Sequence, residues 1–243
     1  MQIKRLFAFG SLLVFAGGLA YAADQTILGN SLTVKDPIPG PTGVAKRKIT
    51  GKGKEKGSSN TIVGNPTTLG GTLTVSAGGG TPSTQTYSLP QGTSMITGKQ
   101  FWTGDAIKGF KYKNPKGEGS GAGVKVAQIK KTPSGNFSIK VVLSGKLGPV
   151  LVTPPNPGTN GCVLLGLNGG DTYSVAFKVG DGLVTNKGAT LYKHKKVAME
   201  GSCIVPVTTT TTTSTSSTSS STSTTLYGSP SKAFFERVVG LLD

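Results

Sequence analysis

The chain is short of the residues from which catalytic and metal sites are assembled. Among its 243 residues there are one His, two Cys and 10 Asp plus Glu. The single His194 has no partner at ligand spacing for a zinc site, which needs about four ligands, and no defined Ser and Asp with which to form a triad. Between Lys193 and Lys195 it reads as a surface residue. Asp171 and Asp181 lie in Gly-rich turns, but acids are too scarce around them for a calcium site, which draws on several oxygen ligands. The run from Gly117 to Gly123 has the glycines of a phosphate loop without its Lys-Ser/Thr pair or following helix, so it reads as a hairpin connection. No catalytic, metal or cofactor-binding residue is assigned, and no cofactor is expected. One enzymatic alternative stays open: a secreted hydrolase whose carboxylates, drawn from Asp36, Asp105, Glu118 and Glu200, meet from distant loops.

Long apolar runs are absent too, except at the start. Lys4 and Arg5 precede the apolar stretch from Leu6 to Leu19, which is short of the roughly 20 residues a spanning helix needs. Ala20 and Ala22 then supply small residues at the two positions a signal peptidase reads, so residues 1–22 are expected to be a secretory signal cut after Ala22. The expected destination is the cell exterior or envelope, with no transmembrane helix in the mature chain.

What the chain has in quantity is Gly (37), Pro (14) and Lys plus Arg (26). Without the two basic residues of the leader, 24 remain against 10 acids, a net charge of +14 that is almost all Lys. Lys is a hydrated point charge, suited to keeping a surface soluble rather than to bidentate recognition. Apolar residues recur with period two. Phe137, Ile139, Val141 and Leu143 share one face, as do Tyr173, Val175, Phe177 and Val179, and Leu32 with Val34, Leu73 with Val75 and Phe110 with Tyr112 give shorter versions. Turn sequences such as Pro133-Ser134-Gly135-Asn136 and Asn168-Gly169-Gly170-Asp171 separate them. The expected class is all-β.

Three similar segments begin at Leu32, Phe110 and Leu191, spaced 78 and 81 residues apart. This predicts an internal duplication of about 80 residues giving two sandwich-like units, at 23–103 and 104–207, each with roughly seven strands. The strands at Leu32 and Phe110 would open the two units, and that at Leu191 would close the second. Cys162 and Cys203 flank the last third of the β region. In an exported protein they are expected to form a structural disulfide, worth roughly 2 to 4 kcal/mol by restricting the unfolded chain.

Residues 208–225 are all Thr or Ser, and 208–228 reads as an extended linker or stalk with nothing to bury. Residues 229–243 predict a short amphipathic helix, with Ser229 at its cap and Pro230 at its first position, serving as a docking tail or folding back on the β region.

The densest charge lies at Lys46, Lys48, Lys52, Lys54 and Lys56, all of one parity, which an extended strand would place on one face opposite Ile49, Gly51 and Gly53. One reading is an edge strand protected from aggregation by lysines. The other is a line of charge for a polyanion such as anionic polysaccharide, lipopolysaccharide or nucleic acid. The sequence therefore points to a secreted or envelope, non-enzymatic structural or interaction module, with lysine-mediated polyanion binding as the alternative. The partner is left unidentified.

Overall fold

A computed structural model describes residues 23–178, 180–197 and 201–203. The leader, Val179, Glu200, the Thr/Ser linker and the C-terminal tail lie outside the described residues. Among the described residues thirteen strands run in chain order: β1 (Asp24–Thr26), β2 (Gly29–Lys35), β3 (Lys48–Glu55), β4 (Gly71–Gly79), β5 (Ser83–Leu89), β6 (Trp102–Asp105), β7 (Gly109–Lys113), β8 (Val124–Lys131), β9 (Phe137–Ser144), β10 (Gly158–Leu167), β11 (Thr172–Phe177), β12 (Leu183–Lys187) and β13 (Leu191–Lys195). Among the described residues helix is confined to a single turn, α1 (Pro66–Leu69), and to short 3-10 segments at Pro41–Lys46 and Gly119–Gly121. The all-β expectation is met.

The strands form two sheets, one ordered β1-β11-β10-β4-β5 and the other β12-β13-β2-β3-β9-β8-β7-β6. Every pairing is antiparallel except that of β1 with β11. The inner faces carry the alternating apolar residues read from the sequence. Leu32, Val34, Ile49, Val141 and Leu143 from the larger sheet and Leu73, Val75, Val163, Leu165 and Val175 from the smaller are all at most 1% exposed. Each such side chain contributes about 1.5–3 kcal/mol by leaving water. Aromatic pairs bridge the sheets: Phe137 of β9 stacks on Tyr173 of β11 with centroids 5.9 Å apart, and Phe177 of β11 tilts against His194 of β13 at 5.7 Å. Gly51, in the middle of β3, marks the closest approach. A Cβ there would sit 2.8 Å from Val163 of the opposite sheet and 2.9 Å from Val141 beside it.

Residues 23–103 and 104–207 do not each close a sheet pair. Strands from the two segments interleave, β3 with β9, β4 with β10, β2 with β13 and β1 with β11, and the boundary expected at 103/104 falls inside β6. They are fused in one sandwich. The segment match also slips by one residue at β13. Phe110 and Tyr112 are buried, but in β13 the buried residues are Tyr192 and His194, while Leu191 sits on the outer face with Lys193 and Lys195. A one-residue shift in a strand exchanges its faces. For the same reason His194 is not the surface residue expected. It is fully buried, with Nε2 against the carbonyl oxygen of Asp181 and Nδ1 3.4 Å from the Tyr192 hydroxyl.

Cys162 and Cys203 are bonded, with Cα atoms 5.5 Å apart across 41 positions of sequence. β13 stops at Lys195, where the next residue, Lys196, adopts a positive φ of 57°. The bond therefore anchors the chain beyond β13 to β10, in a bond type that persists in oxidising compartments. Among the described residues no helix is long and apolar enough to cross a membrane.

Candidate polyanion-binding face

The five lysines singled out in the sequence are all exposed, but only three share the strand. Lys48, Lys52 and Lys54 point outward from β3, opposite buried Ile49, Gly51 and Gly53. Lys46 ends the preceding 3-10 segment, and Lys56 follows the strand. The edge-strand reading is corrected here. β3 lies between β2 and β9, in the interior of the larger sheet, so its backbone donors and acceptors are already paired and its lysines guard no open edge.

The register brings further lysines to the same face. Lys48 stands directly opposite Lys35 of β2, and Lys52 directly opposite Lys140 of β9. Directly opposed like charges destabilise a sheet by up to about 1 kcal/mol a pair. Toward one end of β3, Lys52 and Lys54 line a shallow groove with Lys130, Lys140 and Gln128. Toward the other, Lys46 and Lys48 line a second groove with Lys125 and Lys146. Farther out on the same sheet, Lys193 of β13 is held below the ordinary lysine value by Lys195, first through their side-chain contact and then through its like charge.

Acids do not offset the lysines of the central strands. The only acid in β2, β3, β8 or β9 is Glu55, which takes the register position of buried Phe137 and accepts hydrogen bonds from the Leu28 N–H and the Ser58 hydroxyl, both at 2.6 Å. Asp36, just beyond β2, is buried and turned to Arg47, whose Nε donates to it at 2.8 Å. The guanidinium also donates to the carbonyl oxygens of Val150 and Gly40 at 3.1 Å. This Arg47 is thereby withdrawn from the lysine stripe beside it.

The carboxylates of the hydrolase alternative have separate local partners. Asp105 accepts from the backbone of its own turn, at Ile107 (2.9 Å) and Lys108 (2.7 Å). Glu118 accepts from Ser94 and from the Met95 N–H. Glu200 lies outside the described residues, and no hydrogen bond joins any two of Asp36, Asp105 and Glu118.

Aromatic side chains are withdrawn as well. All nine Phe, Tyr and Trp residues among those described are buried, so none is available on the lysine face to stack on a base or sugar ring. What the face offers is a broad, flexible array of ammonium groups, able to neutralise charge along a linear anion but lacking planar or stacking recognition. The sequence missed Lys35, Lys125, Lys130, Lys140 and Lys146 as members because their proximity depends on strand order. Lys140 alone was visibly opposite an apolar face. No family model matches this chain, and neither a curated protein nor a solved structure matches it.

Proposed function

We propose that this protein is a secreted or cell-envelope, non-enzymatic β-sandwich module that holds a linear anionic polysaccharide on the outer face of its larger sheet. The opposed pairs Lys35–Lys48 and Lys52–Lys140 carry this reading. Their mutual repulsion lowers stability in the free protein and is relieved by a ligand that supplies negative charge. The buried aromatics argue against single-stranded nucleic acid, whose binding relies on stacking for about 1–3 kcal/mol per base, and leave a polymer held through its charge alone. Association with such a ligand is ionic, weakly selective and steeply salt-dependent. The Thr/Ser tract would act as a stalk, holding the face away from its attachment.

The strand arrangement supports an internal duplication, in a frame different from the two sequential units. The run β12-β13-β2-β3 of the larger sheet, with the pair β4-β5 of the smaller, has the same order of pairings as the run β6-β7-β8-β9 with the pair β10-β11. Tyr173 of β11 donates its hydroxyl to the Thr61 carbonyl at 3.1 Å, whereas Tyr87 of β5 donates to Gln85 Oε1 of its own strand at 2.7 Å and lies 3.3 Å from the Pro149 carbonyl oxygen.

Replacing Lys48, Lys52 and Lys54 together with Gln tests the binding function. The variant is expected to stay folded and to elute from immobilised heparin at clearly lower salt. Elution at the same salt as the parent protein refutes the assignment.

A further inference from the structure

Asp171 is a buried carboxylate, 4% exposed, in the turn that leads into β11. A buried charge is costly unless it is paired, yet among the described residues no Lys or Arg side chain lies within ion-pair distance of it. Its partners are neutral. The Gln25 side-chain amide donates to Oδ2, and the main-chain nitrogen of Ala23 donates to Oδ1 at 2.9 Å. That nitrogen belongs to the residue immediately after the signal-peptidase position read from Ala20 and Ala22. Cleavage there hydrolyses the Ala22–Ala23 peptide bond: water adds, the carboxylate leaves with the leader, and the Ala23 nitrogen becomes a primary amine that is protonated near neutral pH.

We infer that removal of the leader supplies the missing counter-ion, with the new α-ammonium of Ala23 pairing with Asp171 and fastening β1 to the edge of the smaller sheet. The seat for it is already built. The Ala23 carbonyl accepts from the Thr172 N–H at 3.0 Å, and β1 continues in parallel register with β11 through Asp24–Thr172, Gln25–Tyr173 and Thr26–Ser174. β1 has three residues and one partner strand, and the 60–61 segment also holds it, through Asn60 Nδ2 donating to the Thr26 carbonyl at 2.8 Å and the Thr61 N–H donating to Gln25 Oε1 at 2.9 Å. Processing thus exchanges a neutral N–H donor for a charged one at the same point, and charge-assisted hydrogen bonds are roughly twice as strong as neutral ones. The leader's removal is thereby a stabilising step for the sandwich as well as a release from the export machinery. This inference is independent of the lysine face.

The test is a cycle of four proteins: the chain beginning at Ala23, the same chain with one Gly ahead of Ala23, and each of these with Asp171→Asn. The added Gly moves the ammonium one residue away and restores a neutral peptide N–H at Ala23. In the chain beginning at Ala23, Asp171→Asn is expected to lower the folded-to-unfolded ratio by about tenfold or more. With Gly ahead, the loss should be distinctly smaller. Equal losses in both backgrounds overturn the inference. If the Asn variants do not fold, the rate of α-amine acylation near neutral pH decides it on the Asp171 proteins alone. Ala23 paired with a carboxylate should react about tenfold more slowly than the amine of the added Gly. Equal rates overturn the pairing, as does an exported protein whose first residue is not Ala23.

Discussion

At the scale of single residues, every described aromatic side chain is buried and no described lysine is. Tyr87, Tyr112, Tyr173 and Tyr192 are all buried, and burial is the main cause raising each phenol above its ordinary value. Tyr112 and Tyr173 are pushed up to about 12, with Glu118 and Asp171 respectively adding to the rise as nearby negative charges and a hydrogen bond in each case opposing it. A folded-state value above the unfolded one means that the unfolded chain loses these protons first. The stability tied to them is therefore complete below pH about 10 and is lost as pH rises toward 12. Native protein titrated by ultraviolet absorbance should show these four phenols ionising only above pH 10 and together with loss of β circular dichroism. Ionisation with ordinary values in a fully folded protein would contradict their burial.

At the scale of elements, β3 shows what alternation reveals and what it hides. Its two faces were legible, since Ile49, Gly51 and Gly53 alternate with the lysines, but its place in the sheet was not. Edge and interior strands with one wet face have the same period, and only the pairing with β2 and β9 separates them. In β13 the pattern Leu-Tyr-Lys-His-Lys fits either parity by apolar content. The inward choice of Tyr192 and His194 became apparent only from the contact with Phe177. Gly51 tests the element directly. Gly51→Val would force carbon into the space held by Val163 and Val141 and should cost about 1–3 kcal/mol in chemical denaturation. It should leave heparin retention of the folded fraction unchanged, because the substitution lies on the opposite face from Lys52. Loss of retention in folded Gly51→Val protein would mean that the lysine array depends on sheet geometry more finely than an ionic surface should.

At the scale of the molecule, two sheets with an apolar interior leave one broad outer face on which lysines collect from strands far apart in sequence. The disulfide, the all-β class and the outward parity of Lys48, Lys52 and Lys54 were readable from residue types and spacing. The fusion of the two halves was not, because cross-pairing such as β3 with β9 joins residues about 90 positions apart and leaves no local trace. The lysine face was hidden by the same long-range register, which alone sets Lys140 against Lys52 and Lys35 against Lys48. The decisive measurement is the salt dependence of heparin affinity for the parent protein and for Lys52→Gln/Lys140→Gln, with the denaturation midpoint at low salt recorded on the same samples. Loss of two ionic contacts should lower the slope of log affinity against log salt by roughly 1 to 2. Relief of the opposed charges should at the same time raise stability by up to about 1 kcal/mol. A variant with weaker, less salt-dependent binding and greater stability is the predicted result; an unchanged slope with unchanged affinity contradicts it.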